Sequence, residues 1–336
     1  MGEKTFTKVQ IGQQAAFGTA VAATRRLMCK VDPGKDRTVK FPEDPLGIRA
    51  RSYRSRVDQI HAGSVRVSTD NAYYQLLPLL FELALKGGVT PSEQTADQDD
   101  WLWDFTPDLT GDNSPVPSTL EYGDDTQAYE ISDFLGRRIV IEGNVGEDAA
   151  VSVEVEGFGK QIDASTFTVG LTPPTIEPMV ANMAKLWIDA NWAGLGGTQK
   201  TGLLRKYRIE ILTGVHPKFW AEGVKTMTGF AESVIDVMWT LTFEGNADAD
   251  TLWDAYNAET AKALRLEILG SKIGTGETHS LTIDTYGKFE EVIPLGDEKD
   301  GNNLHTALFH GISDNEATPH MLAVKVSTDI NEINPS

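Results

Sequence analysis

The stretch Val234-Ile-Asp-Val-Met-Trp-Thr-Leu-Thr-Phe-Glu244 decides the fold class. Ile235, Val237, Trp239, Leu241 and Phe243 fall on one side of an extended chain, and Asp236, Met238, Thr240, Thr242 and Glu244 on the other. Side chains alternate faces along a strand, so this period of two describes a strand with one buried face and one mostly wetted face. The same alternation recurs in Val151, Val153 and Val155 against Ser152, Glu154 and Glu156, and in Tyr207, Ile209 and Ile211 against Lys206, Arg208 and Glu210. Ile139 and Ile141 lead through Gly143-Asn-Val-Gly146 into the Val151 segment, which predicts an antiparallel hairpin.

Helical signals are few. Ala72–Lys86 is apolar, preceded by Asp70 and Asn71 and stopped by Gly87-Gly88; Pro78 inside it predicts a kink or a late start. A second helix is expected over Ala249–Ala263, capped by Asp248 or Asp250. The order of these elements repeats: a strand at Val65–Ser68, a helix, then strands near 119–122, 137–142 and 150–157 in the first half. The second half runs through a strand at Val234–Phe243, a helix, then strands near 264–269, 280–284 and 323–327. Thr172-Pro-Pro-Thr-Ile-Glu-Pro178 lies between the two and reads as an extended linker. The expectation is a mainly β chain with one helix per unit.

The 336 residues carry 49 Asp and Glu against 30 Lys and Arg, a formal net charge of −19. Phosphate backbones attract basic surfaces, so tight nucleic-acid binding is disfavoured. Charge is unevenly spread. Seven basic residues lie between Lys35 and Arg56, against three acids, and Thr90–Leu135 holds twelve acids and no Lys or Arg. The two segments could be surfaces of complementary charge, within one chain or between copies, and Lys35–Arg56 and Gly87–Ser118 are expected to be long loops.

Catalytic patterns are missing from the sequence. The six histidines form no H-E-x-x-H, there is no G-x-S-x-G, and Cys29 is the only cysteine. Gly194-Leu-Gly-Gly-Thr-Gln-Lys-Thr201 approaches a phosphate loop, but Gln199 replaces its second glycine and the following residues alternate like a strand, so a hairpin turn is expected. Trp101, Trp103 and Phe105 could line a sugar groove, although aromatic residues at period two are more often core. The expectation is a non-enzymatic protein with no catalytic, cofactor or metal site. Met1–Phe6 lacks the apolar run of a secretory signal, and no stretch has the length of a membrane span.

The segment Phe6–Arg25 contains Gly12, Gln14, Phe17, Gly18, Thr19 and Ala20 in the order G-x-Q-x-x-F-G-T-A, and Leu135–Lys160 reads as a late hairpin. Both resemble tail tube proteins of long-tailed, siphovirus-type bacteriophages, over about a third of the chain. The resemblance implies tandem tail-tube-like β-sandwich or barrel domains, each with a flanking α-helix, at 1–171 and 172–336. It implies a virion protein made in the host cytoplasm, whose rings stack into a tube that passes genomic DNA without binding it specifically. Tape-measure and tail-terminator proteins would be its partners, with no membrane.

A chain with two such domains would close a ring of three with pseudo-sixfold symmetry, whereas an appended decorative domain would leave a ring of six. Within this frame Arg49, Arg51, Arg54 and Arg56 are expected to form an arm between rings, since guanidinium forks anchor carboxylates. Glu142, Glu154, Glu156, Asp236 and Glu244 are expected on the wall facing the channel. A tube protein of a contractile injection system would share this fold. A carbohydrate-binding or adhesin-like β-sandwich is the alternative from another functional class.

Overall fold

The computed structural model describes residues 7–50, 54–124, 126–146, 149–299 and 301–333. Strand accounts for 49% and helix for 8% of it, and every strand pair is antiparallel in one large sheet system plus a separate two-stranded hairpin. Among the described residues no helix is long and apolar enough to cross a membrane.

The alternating segments form strands where the sequence places them. Asp236–Glu244 buries Val237, Trp239, Leu241 and Phe243 completely and leaves its other face partly wet. Ala128–Asn144 and Val151–Ser165 make the expected hairpin, with Ile141 opposite Val153 and Ile139 opposite Val155. The first helix starts late: Tyr74–Leu76 is a 3-10 turn and the α-helix covers Leu77–Ala84, with Pro78 in the first turn, where its missing N–H costs nothing. The second helix is Ala247–Asn257, capped by Asn246 accepting from the Ala249 N–H, rather than by either aspartate. It stops short of the expected end because Lys262–Lys272 is a strand.

Both long loops contain strands. Lys35–Lys40 pairs with residues 56–62, so the basic segment is a β-hairpin arm whose described tip residues are 41–50 and 54–55. In the acidic segment, Trp101–Asp104 pairs with Leu322–Thr328 at the far end of the chain. Trp103 and Phe105 are buried and stacked, and the Trp103 indole N–H donates to the Ile330 carbonyl. Those two are core, so of the three aromatic residues only the half-buried Trp101 reaches the surface, and they do not line a groove together. The near-phosphate-loop segment is a turn leading into the short strand Gln199–Lys200.

The pairing succession of the first half recurs in the second. Lys8–Gln13 pairs with Arg25–Leu27 and with Ser118–Gly123; from there the ladder runs through Ala128–Asn144, Val151–Ser165 and Arg56–Thr69 to Lys30–Asp32. Ala184–Asp189 pairs with Gln199–Lys200 and with Lys262–Lys272; from there the ladder runs through Thr278–Lys299, Asn302–Gly311 and Asp236–Glu244 to Leu204–Leu212. Each helix occupies the same place in its succession. The basic arm has a counterpart in the hairpin of His216–Lys218 with Gly229–Ala231.

A polar cluster ties the helical turn of the first half to the second half. The Gln75 amide donates to Asp329 Oδ1 at 2.8 Å and its carbonyl oxygen accepts from the Glu177 N–H, while His279 lies against Asp329 and the Ser271 carbonyl. The His279 bond, with help from Gln75 and against burial, draws the Asp329 carboxyl down to about 2. Burial pushes the His279 imidazole down, but its bonds to Asp329 and Ser271 outweigh this and leave it raised above its ordinary value.

The two groups set a window of stability. Asp329 contributes above the unfolded carboxyl range near 4 and loses this as pH falls toward 2; His279 contributes below about 6.5 and loses this as pH rises through its raised folded value. Urea midpoints are expected to peak between about pH 4 and 6.5. His279→Gln should abolish the decline on the alkaline side; an unaltered profile would rule out this pair as its source.

Candidate assembly surface

The two successions meet edge to edge. Residues 138–144 of Ala128–Asn144 pair with Leu204–Leu212, Ile141 facing Ile209 and Glu142 facing Arg208. Gly143 stands opposite Tyr207, and a Cβ there would collide with the buried ring, so glycine is what lets the aromatic side chain lie across this joint. A continuous sheet therefore runs from Lys30–Asp32 at one edge, across the joint, to residues 288–299 at the other. Its inner face is apolar: Val67, Val155, Ile139, Ile211, Trp239 and Phe309 are all buried in one core.

The opposite face carries all five predicted wall acids. Alternation from the same strands puts Glu142, Glu154, Glu156, Asp236 and Glu244 there together. They are not bare. Glu142 pairs with Lys206 at 2.7 Å and Arg208 at 3.1 Å. Glu154 pairs with Arg66 and Arg138, Glu156 with Arg137 and Arg138, Glu244 with Arg205, and Asp236 with His310. Glu210 joins them, held at 2.6 Å by Arg138 across the joint.

For three of these acids the contacts favour the charged form. The Lys206 bond, then that of Arg208, holds the Glu142 carboxyl below its usual range despite partial burial. The Arg137 bond does the same for Glu156 and the Arg138 bond for Glu210. On this face the predicted acids stand in a mosaic, each with a cationic or imidazole neighbour. Cross-strand pairing depends on register between segments far apart in sequence, which alternation alone does not supply.

The arginines of the arm are only partly placed. Arg49 is exposed at the tip, and Arg54, also exposed, reaches Asp44 at 3.1 Å in the same tip. Arg56 begins its strand opposite Lys40, and Arg51 lies outside the described residues. The second hairpin, at the corresponding place, exposes Trp220 and Val224.

The G-x-Q-x-x-F-G-T-A segment is a clamped loop. Gly12 packs against the Ala22 carbonyl, where a Cβ would collide. The buried Gln14 donates to the Thr19 carbonyl and accepts from the Asp133 N–H. Gly18 takes a positive φ of 94° and donates to Asp133 Oδ1, and the Phe17 ring sits 6.0 Å from Phe230 of the second hairpin. The motif thus holds the first strand against the sheet and touches the second half. The chain matches no protein-family model and no curated protein.

Proposed function

We propose that the chain is a tail tube protein whose copies join into rings that stack around a channel for DNA. The observation that carries this reading is the joint at 138–144 and 204–212, an edge-to-edge strand pairing between two segments with the same pairing succession. A chain that joins its own halves in this way contains the contact a ring needs, repeated once covalently. On this reading the halves near 1–171 and 172–336 are duplicated tube domains, and three chains supply six units. Open edges are the classes of surface that a closed sheet satisfies.

The charged face lines the channel in this proposal. A phosphate backbone gains affinity by displacing counterions onto free cations, and here the arginines are already held by carboxylates. The lining then neither grips the duplex nor depends on strong repulsion. The arm of Arg49, Arg51, Arg54 and Arg56 bridges successive rings, with acidic surfaces as its receivers.

Electron microscopy of the purified chain tests both parts. The parent chain is expected to form rings or tubes, and the chain with all four arginines replaced by Ala to form rings that stack less. Dispersed single chains at high concentration would overturn the tube reading; undiminished stacking of the variant would overturn the arm.

A further inference from the structure

Among the described residues, Lys30–Asp32 pairs only with residues 66–68, and the 288–299 part of Thr278–Lys299 pairs only with Asn302–Gly311. These two stretches are the outer edges of the continuous sheet. Resting on the tube reading above, we infer that they join one copy to the next in a defined register, with Val31 of one copy opposite Val292 of its neighbour.

The internal joint supplies the template. Across the first half, Val31, Val67, Val155 and Ile139 stand in one row; across the second, Ile209, Trp239, Phe309 and Phe289 do. Each ladder also holds one pair of facing glycines, Gly136 with Gly157 and Gly287 with Gly311, two ladder steps before Ile139 and Phe289, so the two rows correspond and Val31 is the counterpart of Ile209. The ladder steps from Phe289 to Glu291 over an extra residue, Glu290, so the counterpart of Ile141 is Val292, which faces Ala307 as Ile141 faces Val153. Ile141 faces Ile209 in the chain, so Val292 faces Val31 between chains.

Three features of the edges fit this register and were not used to obtain it. Lys30 falls opposite Ile293; Asp32 falls opposite Glu291, a like-charge contact that works against the joint and is flanked by two lysines. Side chains two positions along the partner strand are within reach, so Lys30 lies diagonal to Glu291 and Asp32 diagonal to Lys288. The second pair stands where Glu210 and Arg138 make their ion pair across the internal joint. Finally, Ile293 is a large apolar side chain left exposed on the single chain, and this register brings it into the joint, with the exposed Met28 and Leu295 just beyond the paired residues. The occupant of each edge is a second copy of this chain, because the opposite edge supplies a lysine diagonal to each of the two facing acids and an exposed apolar residue for Lys30 to lie against.

Cysteines at Lys30 and Ile293, in a chain with Cys29→Ala, test the register with a bifunctional thiol reagent about 5 Å long, the spacing of directly opposed residues. The expected product is a ladder of linked dimers and trimers, while each single-cysteine chain stays unlinked. A control pairs Lys30→Cys with Glu298→Cys and should not link. Rings visible by microscopy without linkage of the 30/293 pair, or with linkage of the control instead, would overturn the register and leave the tube reading standing. A parent chain that forms no oligomer at all would overturn both.

Discussion

On the proposed ring, a chain carrying Ile293→Lys is expected to fold as the parent does and to lose ring formation. Ile293 is well exposed at the outer edge of its strand, so the core loses nothing when it becomes polar. Between copies it would stand opposite Lys30. Two ammonium groups facing each other, together with the lost apolar contact, should cost about 1.5 kcal/mol at each joint, or about tenfold in affinity. A ring closes only when every joint forms, so the penalty multiplies around it, and a stacked tube depends on rings in turn.

The reciprocal change separates electrostatics from damage. Lys30→Glu combined with Ile293→Lys places opposite charges at the same position and is expected to restore rings. Lys30 makes a 2.5 Å ion pair with Asp70 on the surface of its own chain, an exposed contact of the kind that contributes little to stability. Sedimentation at matched concentrations, with circular dichroism to confirm folding, checks the series. Rings from Ile293→Lys at the parent's concentration, or a double variant no better than the single one, would show that Lys30 does not face this position.

Much of the fold was legible because strands announce themselves locally. The alternation in 234–244 and 151–156 is dictated by burial of one face, and the structure buries that face. The repeated order of strand, helix and strands was legible for the same reason. What alternation leaves open is which strand lies beside which. Nothing near Trp101–Asp104 says that it will pair with Leu322–Thr328, and the acidic composition pointed to a loop. The helix from Ala247 ends before Lys262 because tertiary pairing with Thr278–Lys299 claims the following residues for a strand.

The candidate surface divides along the same line. That Glu142, Glu154, Glu156, Asp236 and Glu244 share a face followed from period two once their strands were adjacent. Their partners depended on register. Arg138 meets Glu210 only because Leu204–Leu212 is slid so that Ile209 faces Ile141. Nothing in the sequence marked the joint: Gly143 reads as the start of the turn Gly143-Asn-Val-Gly146, whereas the structure keeps it in the strand, under the Tyr207 ring.

Freeing the cations of the charged face is expected to turn an indifferent surface into a DNA-binding one. Glu142, Glu154 and Glu210 together hold Arg66, Arg138, Lys206 and Arg208. Changing all three to Gln keeps the side-chain shape and removes three negative charges per chain. Each carboxylate is partly solvated, so the lost pairs should lower stability by only about 1 kcal/mol apiece. The guanidinium groups keep their positions along the strands and become available to phosphate. If three cations per chain engage the backbone, the logarithm of DNA affinity should fall with the logarithm of salt at a slope near −2.7, whereas the parent should bind weakly with a shallow slope. Against this works the remaining charge of the chain, which stays strongly negative and is screened beyond about 8 Å at physiological salt. The local gain therefore decides the outcome, and it is read by titrating a short duplex onto the parent and variant at several salt concentrations. Equal and weak binding by both would mean that the carboxylates do not restrain these arginines toward phosphate, and the neutral-lining argument would fall with it. Tight binding by the variant, followed by tubes that retain DNA after loading, would tie the ion pairs of the face to passage through the channel.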